Sequence, residues 1–405
     1  MMTDHELFAA ALSLPWPWYI KRVVFEGNGE DKVLHIYLNH RRRVKFSHEG
    51  KAYPIYDHQQ RQWEHLKFFQ HRCIVHAAVP RVKVDEGNVK LVEVPWAQAG
   101  SSFTLLYEYD VMNLIAGGMN NSKVGERLGI GAKRVFRIVN RHVSQALSLQ
   151  SLDPVKELSV DETSSKKGHN YLTIFADRER KKVVGVAVGK DYEAFAHALI
   201  DMEVRGANRE EVRSVTMDMS TSYIKGAKED LPQASIVFDR FHIAKKMNEA
   251  VDEIRRQDQR SYKNLKNSRY LWLRNNNKLK EDQRQHLEDL AVSHPNIGTA
   301  YRLKEQLHAI FNDAQHNWRI APLRAWMKLA AKSKLAPILK FVNMMKRHWY
   351  GIKSYFKRLA TNAYAERVNL KIQEVKRSAK GYRNQHNFTI MIYFHLGGLD
   401  LKSTR

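Results

Sequence analysis

Along Lys156-Glu-Leu-Ser-Val-Asp-Glu-Thr163, apolar Leu158 and Val160 alternate with polar Ser159 and Asp161. That period of two is the signature of a half-buried strand, and it places Asp161 at a strand end on an edge of the sheet. Two further strand-like runs follow, Asn170 to Ala176 and Lys182 to Val188. Beyond a helical stretch from Asp191 to Val204 come a strand, Ser214 to Asp218, a helix, Ser222 to Asp230, and a fifth strand, Ala234 to Phe238. Asp218 closes its strand as Asp161 does, and the two together form a cradle for a cation. The fifth strand leads into Phe238-Asp-Arg-Phe-His242, where Asp239 and His242 stand one helical turn apart. Taken by itself that pair reads as a helix-capping aspartate and a surface histidine, a common combination.

Upstream, short apolar runs broken by polar residues (Val23 to Phe25, Val33 to Tyr37, Arg72 to His76, Val89 to Val94) predict a small β-rich module up to about Trp96. Arg41-Arg-Arg43 is a basic knot on it, and histidines at 40, 48, 58, 65, 71 and 76 are scattered through it without metal-site spacing. The pattern turns helical from Phe103 to Ala116 and stops at Gly117-Gly118. A short helix capped by Ser122, a turn at Gly129 to Gly131 and a longer helix follow. Val135, Ile138, Val139 and Val143 form the apolar stripe of the longer helix, with Lys133, Arg134, Arg137 and Arg141 on another side. This is the anatomy of a helix-turn-helix with a basic recognition helix, and equally of a plain helical hairpin with a solvated face.

Between Ile243 and about Ala360, apolar residues recur at helical spacing and no strand pattern interrupts them. Arg255, Arg256, Arg260, Lys263, Lys266 and Arg269 are candidates to line a nucleic-acid groove beside the aromatics, although Trp272, Trp318, Trp326 and Trp349 fit a helical core better. In Thr361 to Gly381, Ala365, Val368, Ile372, Val375 and Ala379 make a 3-4 stripe that packs on the sheet, Asn362 caps the start and Gly381 ends it. Glu366 lies beside that stripe, with Asn369 one turn on. Three strands, helix, strand, helix, strand and a returning helix make an RNase H-like α/β core interrupted by a large all-α insertion. The expected divisions are a β-rich module at 1–100, a helix-turn-helix at 101–150, core at 151–245, insertion at 246–355 and the rest of the core at 356–405.

Charge changes this picture most. The 67 Lys and Arg against 43 Asp and Glu leave a formal net charge of +24, and the isoelectric point is 9.9. A polyanionic partner comes first, and the helix-turn-helix gains over the plain hairpin. The longest apolar runs, such as Phe388 to Tyr393, are too short to span a bilayer, and Asp4, His5 and Glu6 do not suit a secretory leader. Cys73 is the single cysteine, so a cytoplasmic, nucleoid-associated protein without disulfides is expected.

Oxygen ligands on a rigid frame suit paired Mg²⁺ ions, which activate the attacking oxygen and stabilise the leaving oxygen of a phosphodiester. Asp161, Asp218 and Glu366 fit that set as catalytic and metal-ligating residues. The chain here resembles the ISL-three family of bacterial insertion-sequence DDE transposases, over nearly its whole length. The likeness is carried by Ser159-Val-Asp-Glu-Thr163, Met217-Asp-Met-Ser220 with Tyr223, Ile236-Val-Phe-Asp-Arg-Phe-His242, and Asn362-Ala-Tyr-Ala-Glu366 with Asn369, Lys371, Lys376-Arg377 and Gly381-Tyr-Arg-Asn384. It implies an active-site support role for Asp239 and His242, two Mg²⁺ ions with Mn²⁺ as a substitute, and a homodimer or higher oligomer on DNA. The implied reaction is binding of terminal inverted repeats, hydrolysis at the 3′ ends and joining of those ends to target DNA. Family members usually carry an N-terminal cysteine zinc ribbon, but Lys45 to Gly50 and Arg81 to Gly87 hold no cysteine, so zinc is not carried over. The rival readings are a transposase-derived DNA-binding protein without catalysis and an RNase H-like nuclease. Three intact carboxylates stand against the first, and the helix-turn-helix with its long helical insertion against the second.

Overall fold

A computed structural model describes residues 3–29, 32–85, 87–152, 154–166, 170–312, 320–358 and 363–401, with the backbone alone at 166, 358 and 363–366. Two compact units result, Met1–Ala146 with Asp400–Arg405, and Leu147–Leu399.

The first unit opens on α1 (Asp4–Ala11), started by a capping box between Thr3 and Glu6. Then come β1 (Trp18–Glu26), β2 (Val33–His40), β3 (Phe46–His48), β4 (Lys51–Tyr53), β5 (Ile55–Phe68), β6 (His71–Asp85) and β7 (Asn88–Leu91). Strands pair in the order β1-β2-β6-β5, β7 joins β6, and β3 and β4 form a separate ribbon. Leu34, Ile36, Trp63, Cys73, Val75 and Trp96 are among the residues that fill its core. β5 escapes a hydrophobic reading because Trp63 alone in it is buried, while Asp57 to Gln62 are polar on both faces. Its ladder to β6 makes it a strand. Further along are α2 (Leu105–Ala116), α3 (Asn121–Leu128) and α4 (Ala132–Leu149). The cap of α3 is Asn120 rather than Ser122, its side chain accepting from the Lys123 N–H at 3.0 Å. Gly129 ends α3 at φ 72°, and a Cβ on Gly125 would stand 2.5 Å from the Ile130 carbonyl oxygen, so the turn into α4 needs both glycines.

The second unit begins with β8 (Glu157–Lys166), β9 (Asn170–Asp177), β10 (Lys182–Val188), α5 (Tyr192–Val204), β11 (Ser214–Met217), α6 (Thr221–Asp230) and β12 (Ser235–Phe238). The sheet order is β10-β9-β8-β11-β12, antiparallel from β8 to β10 and parallel from β8 to β12. β8 is therefore the central strand, and the expectation that Asp161 sits at a strand end, on an edge of the sheet, is corrected: β8 runs on beside β9 as far as Lys166. Alternation in the sequence marks one polar face, but that face is covered too, since Ser159 and Thr163 are buried.

Next come α7 (Arg240–Ser261), α8 (Arg269–Leu273), α9 (Glu281–Ser293), α10 (Pro295–Asn312), α11 (Ile320–Lys332), α12 (Ala336–Arg347), α13 (Trp349–Arg358), α14 (Ala363–Ser378) and α15 (Gln385–Leu396). Among the described residues no strand interrupts α7 to α13. One core joins these helices to the sheet: Trp272, Ile297, Trp326 and Ile338 belong to the same cluster as Leu158, Phe175, Phe195 and Phe238. The indoles of Trp272 and Trp326 are thus packing elements, and Trp318 lies outside the described residues. Arg255 is also withdrawn from any groove, because it is buried and donates to Asp252 at 2.9 Å. No described helix is long and apolar enough to cross a membrane.

Candidate active site

The parallel half of the sheet sets the site. β8 pairs with β11 from Glu157 opposite Ser214 to Ser159 opposite Thr216, and β11 pairs with β12 as far as Met217 opposite Phe238. Asp161 stands two residues past the last β8–β11 pair, and Asp218 stands two residues past it on β11. Both therefore stand at one level just past the end of the β8–β11 pairing, Asp218 beyond its strand and Asp161 within β8, still paired with Ile174 of β9. Asp239 follows Phe238 directly, its N–H donating to the Met217 carbonyl at 3.0 Å. All three lie at the carboxyl end of the parallel ladder, where open α/β sheets bind their ligands.

Each carboxylate is held in place. The Glu162 N–H donates to Asp161 Oδ1 at 2.7 Å, and the Asn369 amide donates to Asp161 Oδ2. The Ser220 N–H donates to Asp218 Oδ1 at 2.8 Å. Asp239 is buried and caps α7 by accepting from the Phe241 N–H at 2.9 Å, and its other oxygen lies 3.8 Å from His242 Nε2. Burial pushes the Asp161 carboxyl above its usual range, against the Glu162 N–H, His242 and Asn369, and nearby Asp218 adds to the rise. Burial likewise raises Glu162, against the pull of Lys190, with Asp218 and Asp161 adding. Beneath them Tyr223 is fully buried, its hydroxyl 3.0 Å from Thr173 Oγ1. Asp161, Glu162, Asp218 and His242 thus share one electrostatic neighbourhood.

α14 lies along β8 like a rail. Asn369 reaches Asp161, Gln373 donates to Thr163 Oγ1 at 3.0 Å, and Lys376 Nζ donates to the Ser164 carbonyl at 2.6 Å. The stripe behind these contacts, Val368, Ile372 and Val375, is buried as its spacing predicts. Glu366 occupies the helical position one turn before Asn369, and its side chain lies outside the described residues, as does Asn362. Sequence reasoning passed over Glu162 and Lys190. The Asp-Glu adjacency was the available signal, but neighbours in a flat strand point apart, and only the fold shows their charges acting on one another.

In the first unit, α4 presents Lys133, Arg134 and Arg137 to solvent. Arg134 lies over the Phe103 ring at 4.5 Å and donates to Ser102 Oγ at 3.0 Å. Arg141 faces inward and is paired with Glu108, whose side chain is wholly buried in α2. The same carboxylate accepts from Ser101 Oγ at 2.5 Å and contacts His142 Nε2 at 2.7 Å. Burial by itself raises the Glu108 carboxyl, but hydrogen bonds from His142, Ser101 and Arg141 outweigh it and hold the group below its usual range. A helical wheel could not have shown this, because it does not distinguish a wet face from one covered by another helix.

A family model described as "Transposase" matches residues 158–392, the span that contains the sheet, the helical stretch and α14. A second, described as "Helix-turn-helix domain of transposase family ISL3", matches residues 92–143. The chain belongs to the ISL3 family of transposases. Among relatives, the transposase for insertion sequence element IS1001 of Bordetella parapertussis is 25% identical over 372 residues, covering 89% of this chain and 91% of that one. The transposase for insertion sequence element IS1557 of Mycobacterium tuberculosis is 24% identical over 433 residues, covering 98% and 96%. The span matched by the helix-turn-helix model thus precedes the span matched by the transposase model along the chain.

Proposed function

We propose that this transposase works by DDE chemistry on an RNase H-like core, hydrolysing the 3′ ends of its own element and joining them to target DNA. One observation carries the reading: Asp161 and Asp218 stand at the same level on adjacent parallel strands, each two residues past the last β8–β11 pair, with α14 laid along β8 beside them. The strand order supports it, because in chain order the sheet reads third, second, first, fourth, fifth. Glu366 is the proposed third carboxylate, one turn before the residue that reaches Asp161.

The donor chemistry fits a hard divalent cation, Mg²⁺ or Mn²⁺. Asp161 and Asp218 offer oxygen alone, and their mutual repulsion in a partly buried site is what a cation relieves. Among the described residues no group of three His, Cys, Asp or Glu could hold a metal, so the two aspartates are the described part of the set. When bound, the metal would supply an activated water and stabilise the leaving 3′ oxygen. Asn369 and the Glu162 N–H fix the plane of the Asp161 carboxylate. Asp239 caps α7 and holds His242 close by, where its ring is placed to orient the DNA strand or carry a proton at Nε2. In α4, Lys133, Arg134 and Arg137 are the proposed DNA contacts, while Arg141 seats the helix on Glu108. Element ends and target DNA are the proposed partners, bound by a homodimer or higher oligomer.

The test uses the full chain, Mg²⁺ and labelled duplexes carrying the ends of the element. Release of 3′-OH ends and their transfer to a second duplex are expected, with Asp161→Asn, Asp218→Asn and Glu366→Gln each abolishing cleavage while binding persists. Binding without cleavage by the unaltered chain would favour the non-catalytic reading. Cleavage without transfer would favour a nuclease.

A further inference from the structure

Beside the aspartates, α6, the end of α12 and the start of α13 enclose an open groove of about 420 Å³, lined by Thr221, Lys225, Lys228, Arg347, His348 and Tyr350. Two short links set its place. Thr221 is three residues on from Asp218, so their Cα atoms are at most about 11 Å apart. The His348 and Tyr350 rings pack 5.2 Å and 5.5 Å from the ring of Phe238, the residue before Asp239.

Positive charge is in excess here, with Lys225, Lys228 and Arg347 against Glu229 in the lining. Lys225, Lys228 and Arg347 are exposed. Lys225 meets Glu229 at 4.0 Å with both side chains largely in solvent, a contact of little energetic weight. Among the described residues neither Lys228 nor Arg347 has a carboxylate partner. Lys228 instead lies 5.3 Å over the Tyr350 ring, which occupies the aromatic face a base would stack on. His348 has a buried, unpartnered Nδ1, and burial, then Arg347 and Lys228, hold its ring below the ordinary histidine range. Cations in excess of carboxylates raise the energy of an empty groove, and a polyanion relieves it.

We propose that this groove carries the backbone phosphates of the DNA strand passing the Asp161–Asp218 site, with Lys228 and Arg347 each neutralising one phosphate. The assignment rests on the transposase reading above and adds the path of the substrate. Its test is the salt dependence of binding by the full chain to a 30-base-pair duplex of arbitrary sequence, followed by fluorescence anisotropy in KCl. Both side chains are exposed, so Lys228→Gln with Arg347→Gln should melt like the parent. The slope of log K against log salt should fall by about 2, and affinity near 0.1 M salt should drop on the order of tenfold for each cation removed. Arg137→Ala, in the other unit, serves as the reference variant. If Arg137→Ala reduces the slope and the double variant does not, the groove assignment is wrong and the transposase reading stands. A double variant that keeps the parental slope but loses self-association in sedimentation would show that an acidic protein surface occupies the groove. If the double variant loses slope while the parent never cleaves element ends, the groove stands and the catalytic reading falls.

Discussion

Replacing Glu108 should uncouple the recognition helix from its unit. Its wholly buried carboxylate joins Ser101, Arg141 and His142, tying α2 to α4. Glu108→Ala leaves a guanidinium and a buried imidazole facing a cavity, a loss of about 3–5 kcal/mol for a broken buried pair. Arg141 keeps 28% of its side chain in contact with solvent, which places the expected cost at the lower end. Glu108→Gln preserves shape and one acceptor and should cost about 1.5–3 kcal/mol, the worth of one charged hydrogen bond. The sign with pH follows from the depressed carboxyl. Its contribution is complete above the unfolded value of 4.5 and is lost as pH falls through the lower folded value. Urea titrations of the full chain, read by ellipticity and by DNA anisotropy, should show the first unit unfolding early and binding lost with it. The stability gap between parent and Glu108→Ala should narrow as the medium is acidified below pH 4.5 and the carboxylate is protonated in the folded state. A cost below about 1 kcal/mol, or a gap unchanged at acid pH, would refute the buried-anchor argument.

Divalent cations should stabilise the parent, because they relieve the Asp161–Asp218 repulsion: at tenfold over its dissociation constant Mg²⁺ contributes about 1.4 kcal/mol, or about 3–6 °C in calorimetric melting temperature. Asp161→Asn should show no such shift, and a shift retained in both aspartate variants would remove them from the metal site. Gly351→Ala would drive a Cβ against the edge of the fully buried Phe238 ring, at a cost of about 1–3 kcal/mol. Cleavage should fall more than binding because Phe238 precedes Asp239, and an unchanged melting curve would show that the ring has room to move. His242→Ala should slow single-turnover cleavage on the order of 10²-fold without loss of stability. Asp239→Ala should cost about 1 kcal/mol as a lost cap, and Asp239→Ser should recover that stability. If Asp239→Ser also recovers full cleavage, the aspartate only caps α7 and does not orient His242.

Periodicity is a local property, and local properties of this chain were legible without coordinates. The strands from β8 to β12, the turn at Gly129, and the α14 stripe of Val368, Ile372 and Val375 all follow from spacing alone, as does the placing of Asp161 and Asp218 just past short apolar runs. Pairing is not local. That β8 is central, and that Asp161 and Asp218 share one level, depends on a register between segments more than fifty residues apart. The polar side of β8 looked wet because hydropathy cannot show that Gln373 and Lys376, two hundred residues on, bond to it. β5 was invisible for the same reason, since its partner β6 supplies the stability that its own side chains lack. Arg141 and Arg255 show the limit most plainly. A charged residue reads as solvent-facing until a partner from another element, Glu108, or a neighbour on the same turn, Asp252, meets it in the interior. Burying a charge costs several kcal/mol unless it is met by an opposite one, and only the tertiary structure decides where that partner stands.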